Sequence, residues 1–320
     1  VSVLIPTYNQ PKFCMKALES ALNQTYPNIE ILVGDDSTNE ETKNAIKPYL
    51  KKYKNISYFF HGKPLGGKGG QNMLFLLNRC SGNFVNYLLH DDLFYPEKIS
   101  KMMNYYTQDL EGRISLVTSA RDLIDENDKY ISKYSTWNPS KDTTIRGHDV
   151  GRQSLFILAN FIGELTTVLF KKKDVAVKNP RPYEPAFLIG NFCGISSASY
   201  GDLDTWLNIL KSGGDMVFIA ESLSAFRKHS DQNGADPITQ ATLPLDVVSF
   251  VIIAWLNNIF FRNAEDFYFC CEKWHVMADR WFTPIAEDDP ERLKYLKNWI
   301  IKLRKVFVTK DHEKMIDIAI

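Results

Sequence analysis

"VSVLIPTYNQPKFCMKALESALNQTYPNIEILVGDDST", residues 1–38, decides how the chain begins to fold. Its opening "VSVLIP" is the apolar, β-branched run that a buried strand needs. Pro11 then opens a helical stretch with Phe13, Ala17, Leu18, Ala21 and Leu22 on one face. Proline suits a first helical position because the N–H it lacks would have no partner there. "IEILVG" reads as a second strand and stops at Asp35 and Asp36. Strand, helix and strand in such close succession make a parallel crossover unit.

The same alternation continues downstream. "EETKNAIKPYLKKY" is a helix with acids at its front and bases at its back, matching the helix dipole. "NISYFF", "NFVNYLLH" and "RISLVTSA" read as strands, separated by helices in "GGQNMLFLLNRC" and "YPEKISKMMNYY". The expected fold is therefore α/β, a mostly parallel sheet with helices on both faces. Such sheets take ligands beyond the carboxyl ends of their strands. The polar signals fall there: Thr7, Tyr8 and Asn9 after the first strand, and Asp35, Asp36 and Ser37 after the second. A glycine-rich loop follows the third, and His90, Asp91 and Asp92 follow the fourth.

From about 122 to 185 the pattern is less regular, around a short apolar run "LTTVLF". Asp202 and Asp204 then precede a helix with Trp206, Leu207 and Leu210 facing inward, followed by two strands, "MVFIA" and "AFRKH". After about Asp236 the chain turns helical and aromatic-rich, with helices expected over 245–261, 265–280, 290–306 and 310–320. The division implied is a domain over 1–235 and a helical C-terminal region over 236–320.

At 320 residues, 44% hydrophobic, the chain has ample material for a large core. Lys plus Arg and Asp plus Glu both number 38, and this zero net charge argues against a nucleic-acid partner. The five cysteines (Cys14, Cys80, Cys193, Cys270, Cys271) lack CxxC spacing and sit among apolar residues, the pattern of buried free thiols in a reducing compartment. "DVVSFVIIAWLNNIFF", residues 246–261, is short and too polar for a bilayer span. The chain starts at Val1 inside a strand-like run, as a piece of a longer protein would.

Two strand ends carry paired carboxylates. One aspartate can cap a helix, but Asp35 and Asp36 exceed what one cap requires. A carboxylate there can accept the imide N–H of uracil while Tyr8 stacks on the ring. Asp91 and Asp92, ending a buried strand, suit a hard cation such as Mg²⁺ or Mn²⁺ with positions left for phosphate oxygens. The glycine loop from Gly62 to Gly69 fits G-x-x-x-x-G-K, but Gly69 stands where a P-loop needs Ser or Thr, and Pro64 removes a backbone donor. It reads as a lid or flank.

On these residues the chain resembles family 2 glycosyltransferases of the Rossmann-like GT-A fold. The likeness runs from residues 1–38 through "DDLFYPEK" to "YGDLDTWLNILKSGGDMVFIAESLSAFRKHS", and "DDSTNEETKNAIKPYL" is similar to the bacterial spore-coat polysaccharide glycosyltransferase of that family. The resemblance implies an inverting, metal-dependent transferase that moves a hexose or N-acetylhexosamine from a UDP-sugar to a glycan, polysaccharide or glycoprotein hydroxyl. It implies Asp202 as catalytic base, and Thr7, Tyr8, Asn9, Asp36, Lys68 and Arg227 around the nucleotide. Asp91, Asp92 and His229 would hold Mn²⁺ or Mg²⁺. The chain departs from the family at Leu89, where the first aspartate of a DxD motif would stand, and near Asn72, where the family's arginine is missing.

Two rivals stand beside this reading: a non-catalytic module on the same fold that binds a nucleotide-sugar or a partner, and a P-loop nucleotide hydrolase using Lys68. The C-terminal helices would cover the acceptor side, form a homo-oligomer or dock on a partner. The expected location is the cytoplasm, with "KNWIIKLRKVF" able to touch the inner face of a membrane, although a packed amphipathic helix is the plainer reading.

Overall fold

The computed structural model of the chain describes residues 1–66, 69–134, 137–175, 200–230 and 237–282. Strand β1 (Ser2–Thr7) leads through helix α1 (Pro11–Leu22) to β2 (Glu30–Asp35), then through α2 (Glu41–Lys52) to β3 (Ile56–Phe60). Helix α3 (Gly70–Arg79) follows, then β4 (Phe84–Tyr87), the two-residue β5 (Leu93–Phe94), α4 (Lys98–Gln108) and β6 (Ile114–Ile124). All of these but β5 are elements that periodicity predicts. Beyond them come β7 (Tyr130–Tyr134), β8 (Thr143–Arg146), α5 (Gly147–Ile157), β9 (Leu169–Lys171), α6 (Gly201–Leu210), β10 (Asp215–Arg227), α7 (Pro237–Leu256) and α8 (Ala264–Phe282).

The sheet runs β3-β2-β1-β4-β9-β6-β10-β5, with β7 on β6 and β8 on β10. Its first four strands are all parallel, so four carboxyl ends lie along one edge. The second half is mixed: β9 runs antiparallel to both β4 and β6, while β6 and β10 are parallel. Chain order reverses at β1, which lies between β2 and β4, and that reversal opens the crevice where such sheets bind ligands.

Both faces are buried, which explains why the strands read as continuous apolar runs. Val3, Ile5, Ile31, Val33, Val117 and Val217 pack on one side with α1 and α4. Leu4, Leu32, Tyr87, Leu116, Phe170 and Phe218 pack on the other with α3, α5 and α6. Helices α7 and α8 belong to this second cluster, through Val248, Phe250, Val251, Phe267 and Trp274. The aromatics Phe260, Phe267 and Trp274 are thus core residues.

Three expectations need correction. "MVFIA" and "AFRKH" form one strand, β10, whose register against β6 shifts between Ile219 and Ser222 and again between Ser222 and Ala225. The irregularity turns Glu221 outward to pair with Lys101, and this polar interruption makes one bulged strand read as two. Asp202 and Asp204 do not precede their helix but lie in the first turn of α6, behind an N-cap at Tyr200. Phe13 lies outside the buried stripe of α1, where Cys14 takes the core place, and its ring faces Arg227 and His229 instead.

Cys14, Cys80, Cys270 and Cys271 are buried free thiols, and Cys193 lies outside the described residues. Among the described residues no helix is long and apolar enough to cross a membrane. The helices expected over 290–306 and 310–320, and the division near 235, also fall outside the described residues.

One contact locks the glycine-loop side of the crevice. The Asn72 amide of α3 donates to Gly34 O at 2.8 Å, and a Cβ added at Gly34 would lie 2.1 Å from Asn72 Oδ1. Gly34→Ala should therefore cost about 1–3 kcal/mol through overpacking. Urea unfolding checks this, and an unchanged midpoint would show that α3 can shift without cost.

Candidate active site

The first corner of the site lies where β1 and β2 end. Thr7 pairs with Asp35 in register, and Asp36 N–H donates to Thr7 O at 3.0 Å. The two adjacent aspartates then part. Asp35 is wholly buried, with its oxygens accepting Ser37 N–H at 2.9 Å and the Tyr58 hydroxyl at 2.5 Å. Asp35 is the structural member. Asp36 is 3% exposed, accepts the Leu65 N–H, and leaves its Oδ1 with no protein partner. Burial raises its carboxyl above the ordinary range, while the Leu65 amide and the nearby His61 work against that rise. A buried carboxylate oxygen without a donor calls for one from outside.

Thr7 is buried and Tyr8 is 47% exposed, the placement a stacking ring requires. Asn9 sits at φ 49° and is held on both sides: its N–H donates to Ser37 Oγ at 2.8 Å, and its Oδ1 accepts Thr38 N–H at 3.1 Å. Asn9 clamps the first two loops together. Neither Asp36 nor Ser37 caps α2, whose N-cap is Glu40. Lys68 lies outside the described residues.

The second corner follows β4, and its aspartates part in the same way. Asp92 is 1% exposed, with Oδ2 accepting the Thr166 hydroxyl at 2.5 Å and Oδ1 accepting Arg227 N–H at 3.1 Å. Burial and the Asp91 charge push its carboxyl well upward. Both oxygens of this expected metal ligand are thus engaged inside the protein. Asp91 keeps its side chain at the surface of the crevice and meets His229, with Oδ2 and Nε2 3.1 Å apart.

Arg227, expected at the diphosphate, is instead fully buried. Its Nε donates to Asp91 O at 2.7 Å, its Nη1 reaches Asp125 O at 2.9 Å and Asp128, and Phe13 covers its face at 4.7 Å. It braces the turn that presents Asp91.

Among the described residues no three His, Cys, Asp or Glu side chains converge, so a metal would rest on Asp91 and His229 with its other ligands from substrate and water. Their 3.1 Å separation fits that role. Neighbouring ligands at about 2.1 Å on an octahedral ion stand about 3 Å apart. An imidazole nitrogen beside a carboxylate suits Mn²⁺ better than Mg²⁺.

The third corner is the start of α6. Asp202 Oδ1 accepts Leu203 N–H at 2.7 Å, and Asn160 adds a side-chain hydrogen bond. Burial outweighs both and lifts the carboxyl to about 6, with Glu164 pushing in the same direction and Arg121 against it. A carboxyl so placed changes protonation near neutral pH, which a proton acceptor needs.

The family model described as glycosyl transferase family 2 matches residues 2–164, half of the chain. The chain belongs to that family. It is 36% identical over 126 residues to an uncharacterized glycosyltransferase of Rickettsia typhi, covering 39% of this chain and 37% of the relative. It is 30% identical over 172 residues to the GalNAc(5)-diNAcBac-PP-undecaprenol beta-1,3-glucosyltransferase of Campylobacter jejuni, covering 54% and 52%. The chain thus spans about half, or less, of the curated relatives it matches. In three dimensions it is similar to S. aureus TarS 1-349 solved with UDP-GlcNAc, at TM-score 0.62 and 15% identity over 99% of this chain and 90% of that one. That likeness shows a shared GT-A fold.

For a family 2 glycosyltransferase, the structure adds residues that sequence reasoning missed. Glu164 pairs with Arg121 at 2.7 Å, and Arg121 stacks on the Tyr134 ring at 4.6 Å. Lys98 is fully buried, donates to Thr167 O at 3.0 Å, and is lowered to about 7 mainly by burial. Lys98 closes the quoted "DDLFYPEK" and was within reach. Arg121 follows the predicted strand "RISLVTSA" and Glu164 lies in the less regular stretch beyond it, so nothing local links the two.

Proposed function

We propose that the chain is an inverting, metal-assisted transferase that moves a hexose or N-acetylhexosamine from a UDP-sugar to a glycan, polysaccharide or glycoprotein hydroxyl. The observation that carries it is Asp202, a half-buried carboxyl held near 6, together with the Asp91–His229 pair. The UDP-GlcNAc bound to TarS and the glucosyl transfer in the name of the Campylobacter relative support the donor class.

In this reading Asp36 Oδ1 accepts the uracil N–H and Tyr8 stacks on the base. Asp202 accepts the proton of the acceptor hydroxyl as that oxygen attacks the anomeric carbon. The carbon–oxygen bond to UDP breaks on the opposite face, and its electron pair leaves with the diphosphate. A divalent ion on Asp91 and His229 supplies positive charge where the leaving group gains negative charge.

Titration calorimetry with UDP and with ATP, each with and without Mn²⁺, tests the reading directly. Manganese-dependent UDP binding is expected; ATP binding indifferent to Asp36 would sink it. Asp36→Asn should weaken UDP roughly tenfold, the loss typical of a hydrogen bond to a charged group. Because Asn can donate to cytosine N3, the preference for UDP over CDP should narrow. An unchanged preference would place the base elsewhere.

A further inference from the structure

The segment from Asn160 to Thr167 touches two corners of the site and presents one side chain between them. At its start Asn160 hydrogen-bonds the Asp202 carboxyl, accepts the N–H groups of Ile162 and Gly163, and donates to Gly163 O at 2.9 Å. Trp206, fully buried in α6, donates to the same Gly163 O at 2.8 Å. Near its end Thr166 hydrogen-bonds Asp92 at 2.5 Å and Thr167 O accepts Lys98 Nζ. Glu164 therefore stands on a stretch fixed to the base at one end and to the Asp91–Asp92 turn at the other.

One Glu164 oxygen, Oε2, takes the Arg121 guanidinium at 2.7 Å. Arg121 is 6% exposed and flanked by Tyr134, and its charge pairs with the carboxylate. The other oxygen, Oε1, is buried and has no protein partner. Its charge is felt by Asp202, and that of Asp91 is felt by Glu164. In a direct displacement, the space between the base and the diphosphate site is where the transferred sugar sits. A fixed, desolvated acceptor there selects for a donor group at one position on the ring, because a sugar without it leaves the oxygen unpaired.

We infer that Glu164, paired with Arg121, accepts a hydrogen bond from a hydroxyl of the transferred sugar and helps set which sugar the enzyme uses. This rests on the UDP-sugar reading above. Glu164→Gln isolates the effect. The amide oxygen stays on the Arg121 cation, and an NH₂ group replaces Oε1, turning the acceptor into a donor.

The experiment is calorimetry in Mn²⁺ with UDP, UDP-glucose, UDP-galactose and their two N-acetylhexosamine counterparts, on wild type and Glu164→Gln. UDP alone reports folding and the nucleotide end, so the sugar's share is the affinity a UDP-sugar gains over UDP. The expected result is UDP affinity within about twofold of wild type, with the added affinity of the preferred sugar reduced about tenfold or more. Selectivity among the four sugars should flatten. If the glutamine variant no longer binds UDP, Glu164→Asp, which keeps the charge but shortens its reach, decides by the same comparison. Unchanged sugar preference in a variant that binds UDP, or equal loss of UDP and UDP-sugars in both variants, overturns this inference alone. Failure of the wild type to bind UDP overturns the donor reading and this inference with it.

Discussion

Asp202→Asn should reduce transfer by about 10²–10⁴-fold, the usual contribution of a positioned general base, while UDP-sugar binding survives. The substitution keeps the shape of the side chain and its contact with Leu203 N–H but removes the group that takes the proton. The pH profile gives the sign. Only the deprotonated carboxylate can act, and burial lifts its titration to about 6. Wild-type kcat/KM should thus be flat above neutrality and fall with unit slope below about 6, to about a tenth one pH unit lower. The residual activity of the asparagine variant should lack that limb. Steady-state rates from pH 4.5 to 8.5, with donor calorimetry alongside, make the test. A variant that retains transfer with the same acid limb would remove Asp202 from the base role.

Asp91→Ala should abolish the manganese dependence of UDP binding, and His229→Ala should do the same to a smaller degree. The two side chains meet at 3.1 Å, and among the described residues no third His, Cys, Asp or Glu joins them. A site held by two protein ligands cannot tolerate loss of its only carboxylate. The informative contrast is Asp92→Asn. Asp92 has both oxygens on Thr166 and Arg227, so its replacement should lower the melting temperature before it alters the metal dependence. Binding isotherms over a manganese series, together with thermal melts, separate the two effects. Loss of metal dependence in Asp92→Asn with an unchanged melting temperature would reverse the assignment.

These contrasts also mark how far the sequence can be read. The parallel block β3-β2-β1-β4 was legible because its signals are local, with period-two burial in strands and a 3.6-residue stripe in helices. Within the second half, β10 reads in the sequence as two strands because the bulge near Ser222 puts a polar residue, Glu221, where an unbroken strand would stay apolar. The start of α6 was placed too late because aspartates in a first helical turn look the same in sequence as an N-cap.

By itself, the sequence determined that polar residues stand at successive carboxyl ends of a sheet, and hence which edge holds the candidate site. Strand ends follow from where apolar runs stop, and that is written residue by residue. The tertiary structure decided which member of each carboxylate pair is left open. Asp35 is filled by Tyr58 and Ser37, Asp92 by Thr166 and Arg227, leaving Asp36 and Asp91 facing the crevice. It also brought Glu164 to Arg121 from a distant part of the chain. Burial and hydrogen-bond partners depend on contacts between remote segments, so two adjacent aspartates that are chemically identical in the sequence become different groups in the fold.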